Sequence, residues 1–373
     1  MLVLLLIASI QLKTVWEKTF TEPVVDVWVE EQTKMMAVVT KEAVLFYDNG
    51  NKISELKLAA NQISELEYKS PLIAFKSNKI VVISREKEYE FKVGCYTIEG
   101  KLIWEKQNLL NPVFLSGNEE YLVSGSPDLG IERPNKCILF DLNTGAKLWE
   151  RNIESDFWMC HILETGEVVI LENIYWKDTT KIYFINTKGE ELWEYVMPTK
   201  ISVAHMENKT SDIILHWTDF RKMEEIILFS KEGKVRWKLE NINNNYINMD
   251  VDKMVISNKT VYLLDVWKED EIIAIDLRDG TIRWRLNLGN TPYSEISIDG
   301  KGKILLLSTR PQYRSIRPIK RNLLLINTLN GEIIQKIDGY GLYGEFIRNT
   351  EKILLRKINE PNNIVIKEIK KGG

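Results

Sequence analysis

Apolar residues along this chain come in short blocks separated by polar turns. "EVVIL" (Glu167–Leu171), "KIYFIN" (Lys181–Asn186) and "ELWEYV" (Glu191–Val196) are typical, each rich in Val, Ile, Tyr or Trp. Such residues suit the pleated, half-buried surface of a sheet. No window of a dozen residues carries a convincing 3.6-residue period, so helices are not expected. The pattern predicts an all-β chain built from short strands.

The blocks also repeat. Turn glycines stand at Gly50, Gly100, Gly145, Gly189, Gly233, Gly280 and Gly331. "YTIEGKLIWEKQ" (Tyr96–Gln107), "FDLNTGAKLWER" (Phe140–Arg151), "FINTKGEELWEY" (Phe184–Tyr195), "LFSKEGKVRWKL" (Leu228–Leu239) and "IDLRDGTIRWRL" (Ile275–Leu286) share one plan. A strand enters a tight turn, and a second strand carries a tryptophan four residues past the glycine. Ser54 and Gln335 take the tryptophan's place in the first and last copies. A unit of about 45 residues with four strands is the signature of a propeller blade. The glycine supplies the positive φ that a tight hairpin needs. The tryptophan lies on the blade's outermost strand, where its ring, burying about 200 Å², can cover the junction with a neighbour. Equivalent tryptophans spread around a ring cannot all meet one cofactor. Trp16, Trp104, Trp149, Trp193, Trp237 and Trp284 therefore read as structural docking residues.

The chain ends decide the blade count. "LKTVWEKTF" (Leu12–Phe20) matches the fourth strand "GKLIWEKQN" but has no three strands before it. At the other end "YGEFIRN", "KILLRKI" and "NIVIKEI" are three strands without a fourth. The N-terminal strand is expected to complete the last blade, closing the ring and leaving no free sheet edge at the chain ends. The prediction is an eight-bladed β-propeller of four-stranded antiparallel blades, one domain over 12–373. Residues 1–11 stay open. "MLVLLLIAS" is apolar like a signal core but lacks a basic start and is too short to span a bilayer. It is either a signal remnant or a buried first strand, and any membrane association would run through it.

The unit Asp-Leu-x-x-Gly-x-x-x-Trp resembles the repeat of the pyrroloquinoline-quinone (PQQ)-type β-propellers, the tryptophan-docking family. The WD40 pattern is absent. The resemblance implies the propeller fold and, for family members that are dehydrogenases, PQQ and a calcium ion near the axis. Those enzymes also carry two adjacent cysteines under the quinone, Glu/Asn/Asp metal ligands and an Asp base. Here Cys95, Cys137 and Cys160 lie in different repeats, and no position matches the metal ligands residue by residue. The family's alanine six residues before the glycine survives as Ala274, and its Asp four before as Asp141 and Asp276. Asn327 replaces that Asp in one blade. The resemblance thus points to the family's non-catalytic branch, with no catalytic, cofactor-binding or metal-binding residue assigned.

Composition adds little. The 373 residues carry 50 basic and 53 acidic side chains, and a net charge of −3 gives no global case for nucleic acid. Three cysteines are too few for a disulfide framework, leaving one disulfide with a free thiol or three reduced core thiols. His161, His205 and His216 lack metal-ligand spacing. The triplets "NKT" at Asn208–Thr210 and Asn258–Thr260 fit glycosylation acceptors if the chain is exported. No haem-attachment, nucleophile-elbow, phosphate-loop, H-E-x-x-H or EF-hand pattern occurs.

Other tryptophans are more informative. Trp28 and Trp158 fall in first strands and read as core. Trp176, Trp217 and Trp267 are expected between the second and third strands of successive blades, with Phe220 beside Trp217. The next blade puts Arg310, Tyr313, Arg314, Arg317, Lys320 and Arg321 in the same place, a basic loop without an acid. Such loops share one face of a propeller, so these residues form a candidate interaction rim. Trp, Tyr and Arg are the usual anchors of interfaces, and the basic loop suits an anionic ligand. The expected function is a docking platform for a protein partner, extracytoplasmic or at the cell surface, with the cytoplasm as the alternative. A divergent PQQ-dependent dehydrogenase and a glycan- or polymer-binding surface propeller are the competing readings.

Overall fold

The computed structural model describes residues 10–30, 34–58, 71–87, 90–109, 113–125, 135–153, 155, 158–174, 177–199, 201–207, 212–219, 224–240, 253–265, 271–289, 295–308, 322–338, 343–347, 350–357 and 360–371. They form an all-β, eight-bladed propeller of four-stranded antiparallel blades, and no helix occurs among them. Blade 4 shows the plan: Trp158–Ile162, Val168–Ile174, Thr179–Ile185 and Glu191–Met197 pair in chain order as an antiparallel meander.

Blade 8 departs from chain order as expected. Its first three strands are Tyr343–Phe346, Lys352–Lys357 and Glu360–Lys371, and its fourth is the N-terminal Ile10–Thr19. The ladder runs from Ile10 opposite Lys371 to Thr19 opposite Asn363, with a bulge between Thr14 and Trp16. The strand starts two residues before Leu12. The backbone amide of Phe20 then donates to the Asn362 carbonyl at 2.8 Å, continuing the tie past the ladder.

The fold divides into a unit holding blades 1–5 (25–28 and 33–243) and one holding blades 6–8 (1–24, 29–32 and 244–373). In both units the core lies between sheets. Ile80 and Val82 face blade 1, in a cluster with Val39, Phe46 and Ile73. Val81 and Ile83, one residue along the same strand, face blade 3 with Leu122 and Phe140. In the three-blade unit, Leu305 and Leu307 pack toward blade 6 while Leu306 packs toward blade 8. Successive side chains of a strand point to opposite faces. Sheets covered on both faces therefore need unbroken apolar runs such as "MMAVV" and "ILLL". The fourth strands alternate between covered and exposed: Glu191–Met197 is buried at Met197 and partly at Trp193 and Tyr195, and exposed at Leu192, Glu194 and Val196.

Candidate functional site

The turn glycines and the tryptophans belong to one recurring site. All seven glycines have positive φ, between 69° and 87°. At Gly145 a second constraint joins the first: an added Cβ would lie 2.7 Å from the Trp104 ring of the preceding blade. The Trp104 indole Nε1 donates to the Leu142 carbonyl at 2.8 Å in the same turn. Trp193 lies against Gly233 and donates to the Lys231 carbonyl at 2.9 Å; Trp284 lies against Gly331 and donates to Thr328 at 3.0 Å. Each indole thus stacks on the next blade's turn and satisfies a carbonyl that the turn leaves free.

Two variants separate the parts of the site. Trp149 contacts Gly189 in the same way, yet its buried Nε1 has no hydrogen-bond partner. Ser54, at the tryptophan position of blade 1, keeps the bond without the ring. Its hydroxyl donates to the Ile98 carbonyl at 2.7 Å, and Leu56 covers Gly100. The ring and the hydrogen bond are therefore separable: blade 3 keeps the ring without the bond, and blade 1 keeps the bond without the ring. Trp16 and Trp237 also lie on fourth strands, as expected.

The candidate rim fares unevenly. Trp176, Phe220, Trp267, Arg310, Tyr313, Arg314, Arg317, Lys320 and Arg321 lie outside the described residues. They do fall between second and third strands: after Ile174, after Asp219, after Asp265 and after Ser308. Trp217 does not, and this corrects the expectation. It sits inside the second strand of blade 5, Ile213–Asp219, 3% exposed, in the core cluster with Leu215, Ile227 and Phe229. Its Nε1 donates to Glu225 Oε2 at 3.1 Å on the neighbouring strand, and Glu225 pairs with Lys238 at 3.3 Å. The strand runs on through the polar Thr218 and Asp219, which read as loop by composition. The acceptor was the missed signal: Glu225 is the residue directly opposite Trp217 across the hairpin.

Buried polar groups elsewhere hold backbone rather than form a reaction centre. Asn173 and Thr180 in blade 4 both accept from the Ile201 amide, each at 3.1 Å, fixing the entry into blade 5. Asp276, 3% exposed, takes hydrogen bonds from Arg278 and Arg283. Those guanidiniums, Arg278 foremost, hold its carboxyl well below the usual range. The Asn258 amide donates to the carbonyls of Lys301 (3.1 Å) and Gly302 (3.0 Å), so this acceptor triplet is built into the junction of blades 6 and 7. Asn208 lies outside the described residues.

Among the described residues, the cysteines and carboxylates do not fit a quinone centre. Cys95, Cys137 and Cys160 are all buried between blade sheets. Among the described residues, no group of three or more His, Cys, Asp or Glu side chains is placed to hold a metal ion. No helix among them is long and apolar enough to cross a membrane.

A family model described as "outer membrane protein assembly factor BamB" matches residues 40–286. BamB from Moraxella catarrhalis superposes with a TM-score of 0.60 at 11% identity, covering 96% of this chain and 100% of that one. The C-terminal WD40 domain of Sif2 gives 0.63 at 11% identity, covering 96% and 98%. The Dos1 propeller gives 0.62 at 13% identity, covering 96% and 95%. At such identities the structural likenesses concern the fold. No curated protein matches the chain.

Proposed function

The chain belongs to the PQQ-like propeller family described by the outer membrane protein assembly factor BamB, and from that premise we propose that it is a non-catalytic docking platform for a protein partner. The observation that carries the reading is the use made of the tryptophans. The residues a quinoprotein-like sequence would offer as aromatic site groups are spent on joining blades. What remains for function is the set of connections between second and third strands, which vary in length while the turns on the other face stay tight. In the three-blade unit these connections include Trp267 and the basic stretch Arg310–Arg321. We place the platform outside the cytoplasm, in keeping with a family whose description is outer-membrane assembly.

The test is partner capture by the full chain, by chemical cross-linking and co-purification from its native source. Trp267→Ala and Arg317→Glu should each weaken capture about thirtyfold or more, the equivalent of a hot spot of about 2 kcal/mol. The melting temperature should move by only a few degrees. Raising salt should mimic the arginine change, because exposed charges are screened over about 10 Å. Lys188→Glu, in a tight turn on the opposite face, should leave capture unchanged. Loss with Lys188→Glu and retention with the other two would overturn the reading. So would dye reduction on adding PQQ and Ca²⁺, which belongs to the dehydrogenase alternative.

A further inference from the structure

The interface between blades 3 and 4 contains two of the three cysteines. Cys137 lies on the third strand of blade 3, Asn135–Asp141, and Cys160 on the first strand of blade 4, Trp158–Ile162. Both belong to one buried cluster with Val123, Leu139, Ile170 and Tyr183. The two thiols are within hydrogen-bonding reach of each other, and burial together with that contact pushes the Cys137 thiol well up. Cys95 lies one interface away, between blades 2 and 3, with its thiol toward the Leu142 carbonyl at 3.9 Å. Burial raises it to about 11. The three thiols therefore make one pair and one bystander.

We propose that Cys137 and Cys160 close into a disulfide that staples blade 3 to blade 4 when the chain folds in the presence of a disulfide oxidant. Cys160, on the first strand of blade 4, meets the oxidant while blades 3 and 4 are still apart. Its thiolate attacks the oxidant RS–SR, forming a mixed disulfide and releasing one RS⁻. The Cys137 thiolate then displaces the second RS⁻, forming the Cys137–Cys160 bond. Two S–H bonds are given up, one S–S bond is made, and the oxidant leaves as two thiols carrying the two protons. The thiolate is the reactive form, and an apolar interface disfavours it. Reaction therefore belongs to the period before the blades dock. The same burial afterwards shields the bond from reductants. The staple acts on the scaffold alone and requires no partner.

The test refolds the full reduced chain in a glutathione redox buffer and, in parallel, in a reducing buffer. Thiols are then counted under denaturing conditions. One free thiol is expected from the redox buffer and three from the reducing one, and a peptide map should join Cys137 to Cys160. The oxidised chain should melt several degrees higher, as expected when a loop of about two dozen residues is closed. Cys137→Ser and Cys160→Ser should each abolish that shift, whereas Cys95→Ser should keep it. If refolding yields are poor, the same count on chains expressed in an oxidising secretory compartment and in a reducing cytoplasm gives the same readout. A folded chain from the oxidising arm with three free thiols, or a map joining Cys95 to either partner, overturns the proposal.

Discussion

At Trp104 and Gly145 two residues one blade apart form a single packing site, and neither can be judged alone. The glycine is fixed by its φ of 69° and by the ring that fills its Cβ position. Truncating such a ring removes a large buried surface, so Trp193→Ala should cost about 3–5 kcal/mol in denaturant unfolding. Phenylalanine separates the stack from the hydrogen bond. Trp104→Phe removes the indole donor to the Leu142 carbonyl, leaving it the weak Cys95 thiol, and should cost about 1 kcal/mol more than Trp149→Phe, where no bond exists to lose. Equal costs would mean that the bond contributes nothing. Asp276 gives a pH signature. Its carboxyl is depressed in the folded chain by Arg278 and then Arg283. The stabilisation is therefore complete above the ordinary Asp value of about 3.9 and is lost as the solution is acidified below it. Melting curves between about pH 5 and 2 should show Asp276→Asn losing less stability on acidification than the parent chain.

Strands in this protein are of two kinds, and sequence shows them unequally. Second and third strands such as Met35–Thr40, Val168–Ile174 and Glu271–Asp276 are covered on both faces, so their apolar runs announce strands but not which side faces which blade. The fourth strands are edges. Exposed Leu192 and Val196 flank Glu194, which pairs with Lys181 at 3.1 Å, and Lys136–Glu150 and Arg285–Glu271 repeat that cross-strand pattern. Charges placed there discourage pairing with another chain. Ile10–Thr19 is such an edge supplied from elsewhere in the sequence. Deleting Met1–Phe20 should uncover the strand Glu360–Lys371 and cause aggregation or a large fall in melting temperature. A truncated chain that melts like the full one would contradict the ladder. The blade count and this closure were legible because Leu12–Phe20 matches a fourth strand with no three before it, and the last three strands lack a fourth. Trp217 was misplaced because polar Thr218 and Asp219 continue its strand, and composition alone cannot separate a polar strand end from a loop. The unpaired indole of Trp149 was equally invisible, since it depends on the turn that Trp149 meets and not on its own neighbours in sequence.

On the scale of the molecule, every described docking contact runs the same way, from a tryptophan to the glycine of the following blade: Trp104 to Gly145, Trp149 to Gly189, Trp193 to Gly233, Trp284 to Gly331. The coupling has a direction along the chain, so damage to a turn is felt first by the blade before it. The N-terminal ladder adds a mechanical property. Ile10 lies opposite Lys371 and the two strands are antiparallel, so both ends of the chain leave the same end of one ladder. A pull applied between them loads the hydrogen bonds one after another, like a zipper, rather than all together in shear. The joint that completes the last blade is thus also where tension on the termini would open the protein first. A load carried by either terminus alone would pass through that strand pair before it reached any other blade.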